Sequence, residues 1–432
     1  MRRVLIAASV LAALLRPSAM TIVAQDQSPA TIRSMYAAAL AAYDKKDYPE
    51  YLRLLIDVSA LRRTHPTITW RLAGAYALNG RAEDAAAVLR RLEKLTLYND
   101  VAGSKDFADV RTNPAIQSAV KTLDAIKTRR IGASEPAWTI HQKTFVPEGV
   151  AYDAVTKTFF VSSQFQRKIV RIDATGNVSD FADRSSGLWM VFGIVVDPER
   201  RLLWAVSTAE RPMDGYTAAD ENRTGIFAFN IDTAKLAHRY LLDPSTPPHR
   251  FDDVTVGRDG RVFASDGGTG AIYTAAPNSE LREFLRGGTI QGPNGIAPSP
   301  DGRFVYVSDY AGYIFKIDTT TAAAMRLEMP EDVALYGIDG LAWDKDGLIG
   351  VQNGVNPERV IRLALNDNHT RIANVTILDM GNAHVAEPTL GVVVGDSYYY
   401  VANSHGALLR KPNSVLSEQA LTEPVILKLR LR

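Results

Sequence analysis

The sequence contains no cysteine. That excludes thiolate metal sites, thiol nucleophiles and disulfides. It leaves an oxidising compartment open, because a core of the size 432 residues can build does not need covalent staples. Charge of either sign is not in excess, with 49 basic residues against 48 acidic ones, and no basic stripe interrupts the balance. This argues against nucleic acid as a partner. There is no Gly-x-Ser-x-Gly elbow and no recognisable Ser/His/Asp arrangement, which argues against a serine hydrolase. Long apolar runs are missing except for Val4 to Leu15, which follows Arg2-Arg3 and precedes small residues up to Ala24. That run is too short to span a bilayer comfortably but fits a secretory signal, Met1 to Ala24, cleaved before Gln25. The expectation is an exported chain, periplasmic or secreted, with no membrane span after cleavage. No Cys follows the run, so it is not a lipoprotein signal.

What is present is a repeated hairpin. Gly292 to Asp309 reads GPNGIAPSPDGRFVYVSD. Pro300-Asp301-Gly302 is turn chemistry, because Pro presets φ and Gly accepts positive φ. Phe304 to Val307 is branched and aromatic and reads as a strand. Copies of this unit open at Glu148, Phe192, Asp252, Asn294, Asp339 and near Leu390. A period of roughly 40–50 residues made of short strands is the signature of a propeller. β-rich runs follow each hairpin, among them Lys168 to Ile172, Tyr313 to Ile317 and Ala407 to Leu409. The count is six blades of four strands. Two β-sandwich domains, the alternative, do not require polar residues at fixed offsets in a repeated hairpin.

Residues 28–130 are different material, rich in Ala, Leu, Lys and Arg. Ser28-Pro29 is a helix start, and Ile32, Met35, Tyr36, Ala39, Leu40 and Tyr43 recur at helical spacing. A shift of about 34 residues lays Tyr36 on Trp70, Ala39 on Ala73 and Leu55 on Leu89, the period of tetratricopeptide repeats. Trp70, Ala73, Tyr76, Gly80, Ala82 and Ala85 resemble that family's pattern. This domain is expected either to dock a protein or peptide partner or to serve as a structural cap. Residues 131–136 read as a linker and 137–432 as the propeller. Trp138 to Phe145 reads as a strand joining the ring before blade one. Val425 to Leu431 alternates and reads as the outer strand of the last blade.

The first residue of each repeat lies where innermost strands approach the propeller axis, so these positions converge. Glu148, Asp252, Asn294 and Asp339 are oxygen donors there, with Glu387 near the sixth. Carboxylates and a carboxamide without His or Cys predict a hard-cation site, Ca²⁺ first, with Mg²⁺, Mn²⁺ or Zn²⁺ as alternatives. The competing reading is that these side chains hydrogen-bond neighbouring blades. The second strand of each hairpin ends on the same face, which offers Asp266, Asp309, Asn353, Asn403 and His405 as a polar, substrate-binding mouth. Ala209 to Thr224 is a long loop, carrying Glu210 and Arg211, that reads as a lid.

Residues 137–432 resemble the senescence marker protein/gluconolactonase family of six-bladed propellers. The resemblance rests on Glu148 in PEGVAYD, Asn294 in GPNGIAPSPDG and Asp339 in GIDGLAWDKDG. It implies that these three bind one divalent cation and that the chain hydrolyses a lactone. Asp252-Asp253 stands where relatives often place an Asn, and blade two, which opens on Phe192, has no match to the family's substrate-binding Arg and Asn. The helical domain is no part of the family pattern. The expected activity is a metal-dependent hydrolysis of a small-molecule lactone or ester, with Asp339 or Asp252 as general base or nucleophile. The alternative from a different class is a non-catalytic scaffold that keeps a structural cation and binds a partner.

Overall fold

The structure is a computed structural model that describes residues 29–211, 213–246, 248–277, 279–409 and 418–431. The expected signal segment, Met1 to Ala24, lies outside the described residues. Among the described residues, no helix is long and apolar enough to cross a membrane.

Five helices come first: α1 (Pro29–Asp44), α2 (Tyr48–Leu61), α3 (Pro66–Leu78), α4 (Ala82–Lys94) and α5 (Pro114–Lys127). Their starts are written in the sequence. Asp47 accepts from the Glu50 amide at the head of α2, and Asn113 accepts from the Ala115 amide at the head of α5, each with a proline in the first turn. Acidic Glu83 and Asp84 open α4, and basic Arg91 and Lys94 close it, which complements the helix dipole. The small residues Ala73, Ala85 and Ala86 are fully buried, so the helices approach closely around Tyr51, Leu55 and Leu89.

Six four-stranded sheets follow. Their innermost strands are Pro147–Asp153, Met190–Asp197, Phe251–Val256, Pro293–Pro298, Ile338–Asp344 and Gly391–Val394. Blades one to five run outward in sequence order, each a meander of antiparallel neighbours. Blade six is composite. From the axis outward it comprises Gly391–Val394, Ser397–Val401, Val425–Arg430 and Glu135–Thr139. The two ends of the chain therefore pair and close the ring.

Three expectations change here. Val425–Arg430 is the third strand of blade six rather than the outer one. Alternation identified a strand but not its neighbours, and Ile426 and Leu427, on opposite faces, are both fully buried. The outer strand is Glu135–Thr139, so the supposed linker, residues 131–136, already belongs to the ring, with Ile131 bridged to Met380. Ala407 to Leu409 belongs to a short helix, α6 (Gly406–Leu409), because the C-terminal strand fills the place it was expected to take.

The helices are docked on the propeller, not tethered to it. Ala334 and Val355 are buried in the helical core, and Tyr336 packs against it. The Tyr98 amide donates to Asn356 O at 2.7 Å. Buried Arg359 donates to Leu95 O at 3.0 Å and Thr96 O at 3.3 Å, just past the end of α4, and to Gln352 Oε1 at 2.7 Å.

Candidate active site

Each of the first five blades breaks register at one place in its inner hairpin. The shifts fall between Pro147 and Val150, Val191 and Ile194, Phe251 and Val254, Pro293 and Ile296, and Ile338 and Leu341. The residues left inside these bulges are Glu148-Gly149, Phe192-Gly193, Asp252-Asp253, Asn294-Gly295 and Asp339-Gly340. A bulge re-aims a side chain out of the pleat. Here it does so at the equivalent point of blades one to five.

The second residue of the pair explains why neighbouring bulges can meet. A Cβ on Gly149 would stand 2.9 Å from Phe192 O, one on Gly193 2.6 Å from Asp253 Cα, and one on Gly295 2.5 Å from Asp339 O. These glycines let the backbone of one blade touch the backbone of the next at the axis. Blade three has Asp253 at that position. Its carboxylate accepts from the Ile296 amide at 3.0 Å and from the Val254 amide at 2.8 Å, so a side chain makes the contact to blade four. Burial, and then the charges of Asp339 and Asp252, push the Asp253 carboxyl up to about 8 against the pull of those amides.

One cavity of about 510 Å³ is lined by Glu148, Asp252, Asn294 and Asp339 together. The four predicted ligands, from four blades, therefore share one space. The three carboxylates are buried and Asn294 is half-buried. Each carboxylate is held from behind. Gln164 Nε2 donates to Glu148, and Ser404 Oγ donates to the same oxygen at 3.4 Å. Asn353 Nδ2 donates to Asp339 at 2.6 Å, and Tyr310 OH donates to Asn353 Oδ1 at 2.8 Å. Arg250 meets one oxygen of Asp252 at 2.6 Å, and the Gly267 amide donates to the other at 3.1 Å. Burial raises the Asp252 carboxyl to about 7; Asp339 and Glu210 add to the rise and Arg250 opposes it. Glu210 belongs to the expected lid loop, so that loop reaches the cavity electrostatically.

This donor set suits a hard divalent cation, with oxygen ligands only and more negative charge than Arg250 balances. Among the described residues, no three His, Cys, Asp or Glu side chains form a metal-holding group by themselves. A cation held here would draw on the Asn294 carboxamide beside the carboxylates.

Of the five side chains expected to contact substrate, only Asn353 lines the cavity. Asp266 accepts from the Arg250 and Gly268 amides, both at 3.0 Å, and Asp309 from the Gly292 amide at 3.2 Å and the Ala311 amide at 3.0 Å. Asn403 accepts from the Val425 amide at 2.7 Å, and His405 Nε2 meets Thr422 Oγ1 at 2.9 Å. A strand-end carboxylate folds back on its own loop because the amides there need acceptors. His384 is an exposed loop residue. Sequence reasoning did not find Arg250, Tyr310 or Glu358, which line the same cavity. The Glu358 carboxyl is raised to about 7 by burial and by Glu387.

A family described as SMP-30/Gluconolactonase/LRE-like region matches residues 146–391. Solved structures of similar fold include a calcium-binding protein, regucalcin, from Agrobacterium tumefaciens, at 17% identity over 70% of this chain and 96% of that one, with TM-score 0.48. A gluconolactonase from Xanthomonas campestris is 16% identical over 70% of this chain and 97% of that one, with TM-score 0.45. A luciferin-regenerating enzyme is 15% identical over 69% and 95%, with TM-score 0.48. No curated protein matches the sequence at a significant level.

Proposed function

From the premise that this chain belongs to the SMP-30/gluconolactonase/LRE-like family, we propose that it is a divalent-metal-dependent hydrolase of a small lactone or ester. The observation that carries the reading is the convergence of Glu148, Asn294, Asp339 and Asp252 on one cavity. Glu148, Asn294 and Asp339 would hold the cation, Ca²⁺ before Mg²⁺, Mn²⁺ or Zn²⁺. Bound there, it supplies Lewis acidity toward an ester or lactone carbonyl.

The remaining work falls to the chain itself. Asp252 takes a proton from the attacking water; Arg250 and the Gly267 amide fix its orientation. Asp339 is the other candidate for that role, and Asn353 fixes its carboxylate. Gln164 and Ser404 hold Glu148, so the donors are set before anything binds.

The test joins chelation to calorimetry. Removing divalent cations abolishes turnover of a lactone and aryl-ester panel while the fold still melts cooperatively, and re-addition restores it. Asn294→Ala with Asp339→Ala abolishes calcium binding in a titration. Unchanged affinity in that double variant removes the site. Metal-loaded protein that turns over no ester leaves a scaffold with a structural cation.

A further inference from the structure

Residues 353–358 join the second and third strands of blade five, Gly347–Gln352 and Arg359–Leu365. Both ends of this loop line the axial cavity, through Asn353 and Glu358. Its middle is held by the helical domain. Val355 is buried in the helical core together with Leu95, Leu97 and Tyr98. Asn356 O accepts from the Tyr98 amide at 2.7 Å. Arg359, the residue after the loop, donates to Leu95 O and Thr96 O. One short stretch of the helical domain, residues 95–98, therefore grips one loop of the propeller by side chain and backbone at once.

The grip reaches the cation donors in one step. Asn353 Nδ2 donates to Asp339 at 2.6 Å, so the place of the loop decides whether that bond is made. The Asn353 and Gly354 amides both donate to Gly337 O, at 3.1 and 3.2 Å, two residues before Asp339. A Cβ on Gly354 would stand 2.9 Å from Tyr310 OH, so the loop lies against the tyrosine that orients Asn353. Gln352 Nε2 donates to Ala334 O at 3.0 Å and Tyr336 O at 2.9 Å, and both of those residues pack on the helical core. The strand ladder stops at the Gln352–Arg359 pair, so beyond it the loop is placed by what it packs on.

We propose that the helical domain is a working part of the axial site: by holding residues 353–358 it fixes Asn353 on Asp339 and sets Glu358 in the cavity wall. Cation affinity then depends on a domain that supplies no ligand, since among the described residues lining the axial cavity none belongs to the helices. Leu97 and Val355 are positioning residues. The proposal rests on the reading of the axial cavity as a cation site. It gives a role to the helices, which lie outside residues 146–391, the span the family matches. A plain structural cap would add stability and leave affinity unchanged, and that difference can be measured.

The test is calcium titration of the full chain carrying Leu97→Ala or Val355→Ala, with Ile116→Ala as control. Ile116 is also buried in the helical core, but on the helix that begins where Asn113 meets Glu83, at the start of α4 and away from residues 95–98. All three truncations lower the melting temperature through lost core contacts. Calcium affinity falls about fivefold or more in Leu97→Ala and Val355→Ala, the worth of the hydrogen bond from Asn353 to Asp339, and holds in Ile116→Ala. Leu97→Met, which refills the volume, restores it. Hydrogen exchange without metal reads the loop itself: the Asn353 and Gly354 amides exchange faster in Leu97→Ala than in Ile116→Ala. Wild-type affinity in Leu97→Ala and Val355→Ala overturns the proposal, and so does an equal loss in Ile116→Ala. If the wild-type protein binds no calcium, the hydrolase reading falls and exchange alone decides: faster exchange in Leu97→Ala upholds the clamp, and equal rates in the two variants overturn it.

Discussion

Replacing Gly295 by Ala tests how the axial site is built. The added Cβ would stand 2.5 Å from Asp339 O, 2.5 Å from Leu341 N and 2.8 Å from Gly340 C. All three are backbone atoms, so no side chain can rotate away. Ordinary carbon contacts begin near 3.5 Å, so blades four and five must part by roughly 1 Å at the axis. Overpacking of this kind costs about 1–3 kcal/mol, and a rigid backbone on both sides puts the cost near the top of that range. At about 2–4 °C per kcal/mol for a domain of this size, the melting temperature falls by about 6–12 °C. Calcium affinity falls as well, because the strain opens between Asn294 and Asp339. The matched control is Gly292→Ala, whose Cβ meets nothing closer than Tyr310 Cβ at 3.6 Å and whose cost is within about 0.5 kcal/mol. Calorimetric melting and calcium titration of both variants give the answer. A Gly295→Ala protein that melts and binds calcium like the wild type would show that the blades do not meet at this backbone contact.

Three further outcomes are expected. Arg359→Met removes two hydrogen bonds between the helices and the propeller and a third within the propeller, at about 3 kcal/mol in all, and a single calorimetric transition should become two; an unsplit trace with an unchanged midpoint contradicts this. Tyr310→Phe removes the 2.8 Å bond to Asn353, worth about 1 kcal/mol, so calcium affinity drops about fivefold while the melting temperature barely moves; unchanged affinity would separate Tyr310 from the site. Burial opposes ionisation of Asp153, but Arg201 at 2.6 Å and Thr156 outweigh it and hold the carboxyl down at about 2. Its folded pKa lies below the unfolded value near 4, so its contribution is complete above about pH 4 and is lost as pH falls toward 2. Allowing for solvent screening, that contribution is about 1–2 kcal/mol. Asp153→Asn should flatten the acid limb of stability in urea melts run from pH 6 to pH 2.5, and an identical acid slope would refute the assignment.

The ring was legible because each blade repeats a local signal. Turn chemistry, alternating strands and a polar residue at one offset do not depend on distant parts of the chain. The same holds for Glu148, Asn294 and Asp339, whose positions are fixed by their own hairpins. The glycine that follows each was on view in the sequence, but its reason lies in the neighbouring blade, against Phe192, Asp339 or Thr389. Asp266 and Asp309 were misjudged because a carboxylate at a strand end is drawn to nearby loop amides before it is available to a ligand. Arg250, Tyr310 and Glu358 carried no periodic signal, since loops bring them to the cavity. In the sixth blade the C-terminal strand was legible but its neighbours were not: alternation identifies faces but not partners, and Glu135–Thr139 pairs with Val425–Arg430 across almost the whole chain.

The axial cavity is lined by Glu148, Asp252, Asp339, Glu358 and Glu387 against the single guanidinium of Arg250. A neutral ester or lactone enters such a space without electrostatic cost, whereas a free carboxylate is repelled unless a cation offsets it. On the proposed reading, the cation therefore has to offset the acid that hydrolysis yields as well as the carboxylates of the lining. The helical domain supports this arrangement from one side, where His65 and Tyr336 back Tyr310.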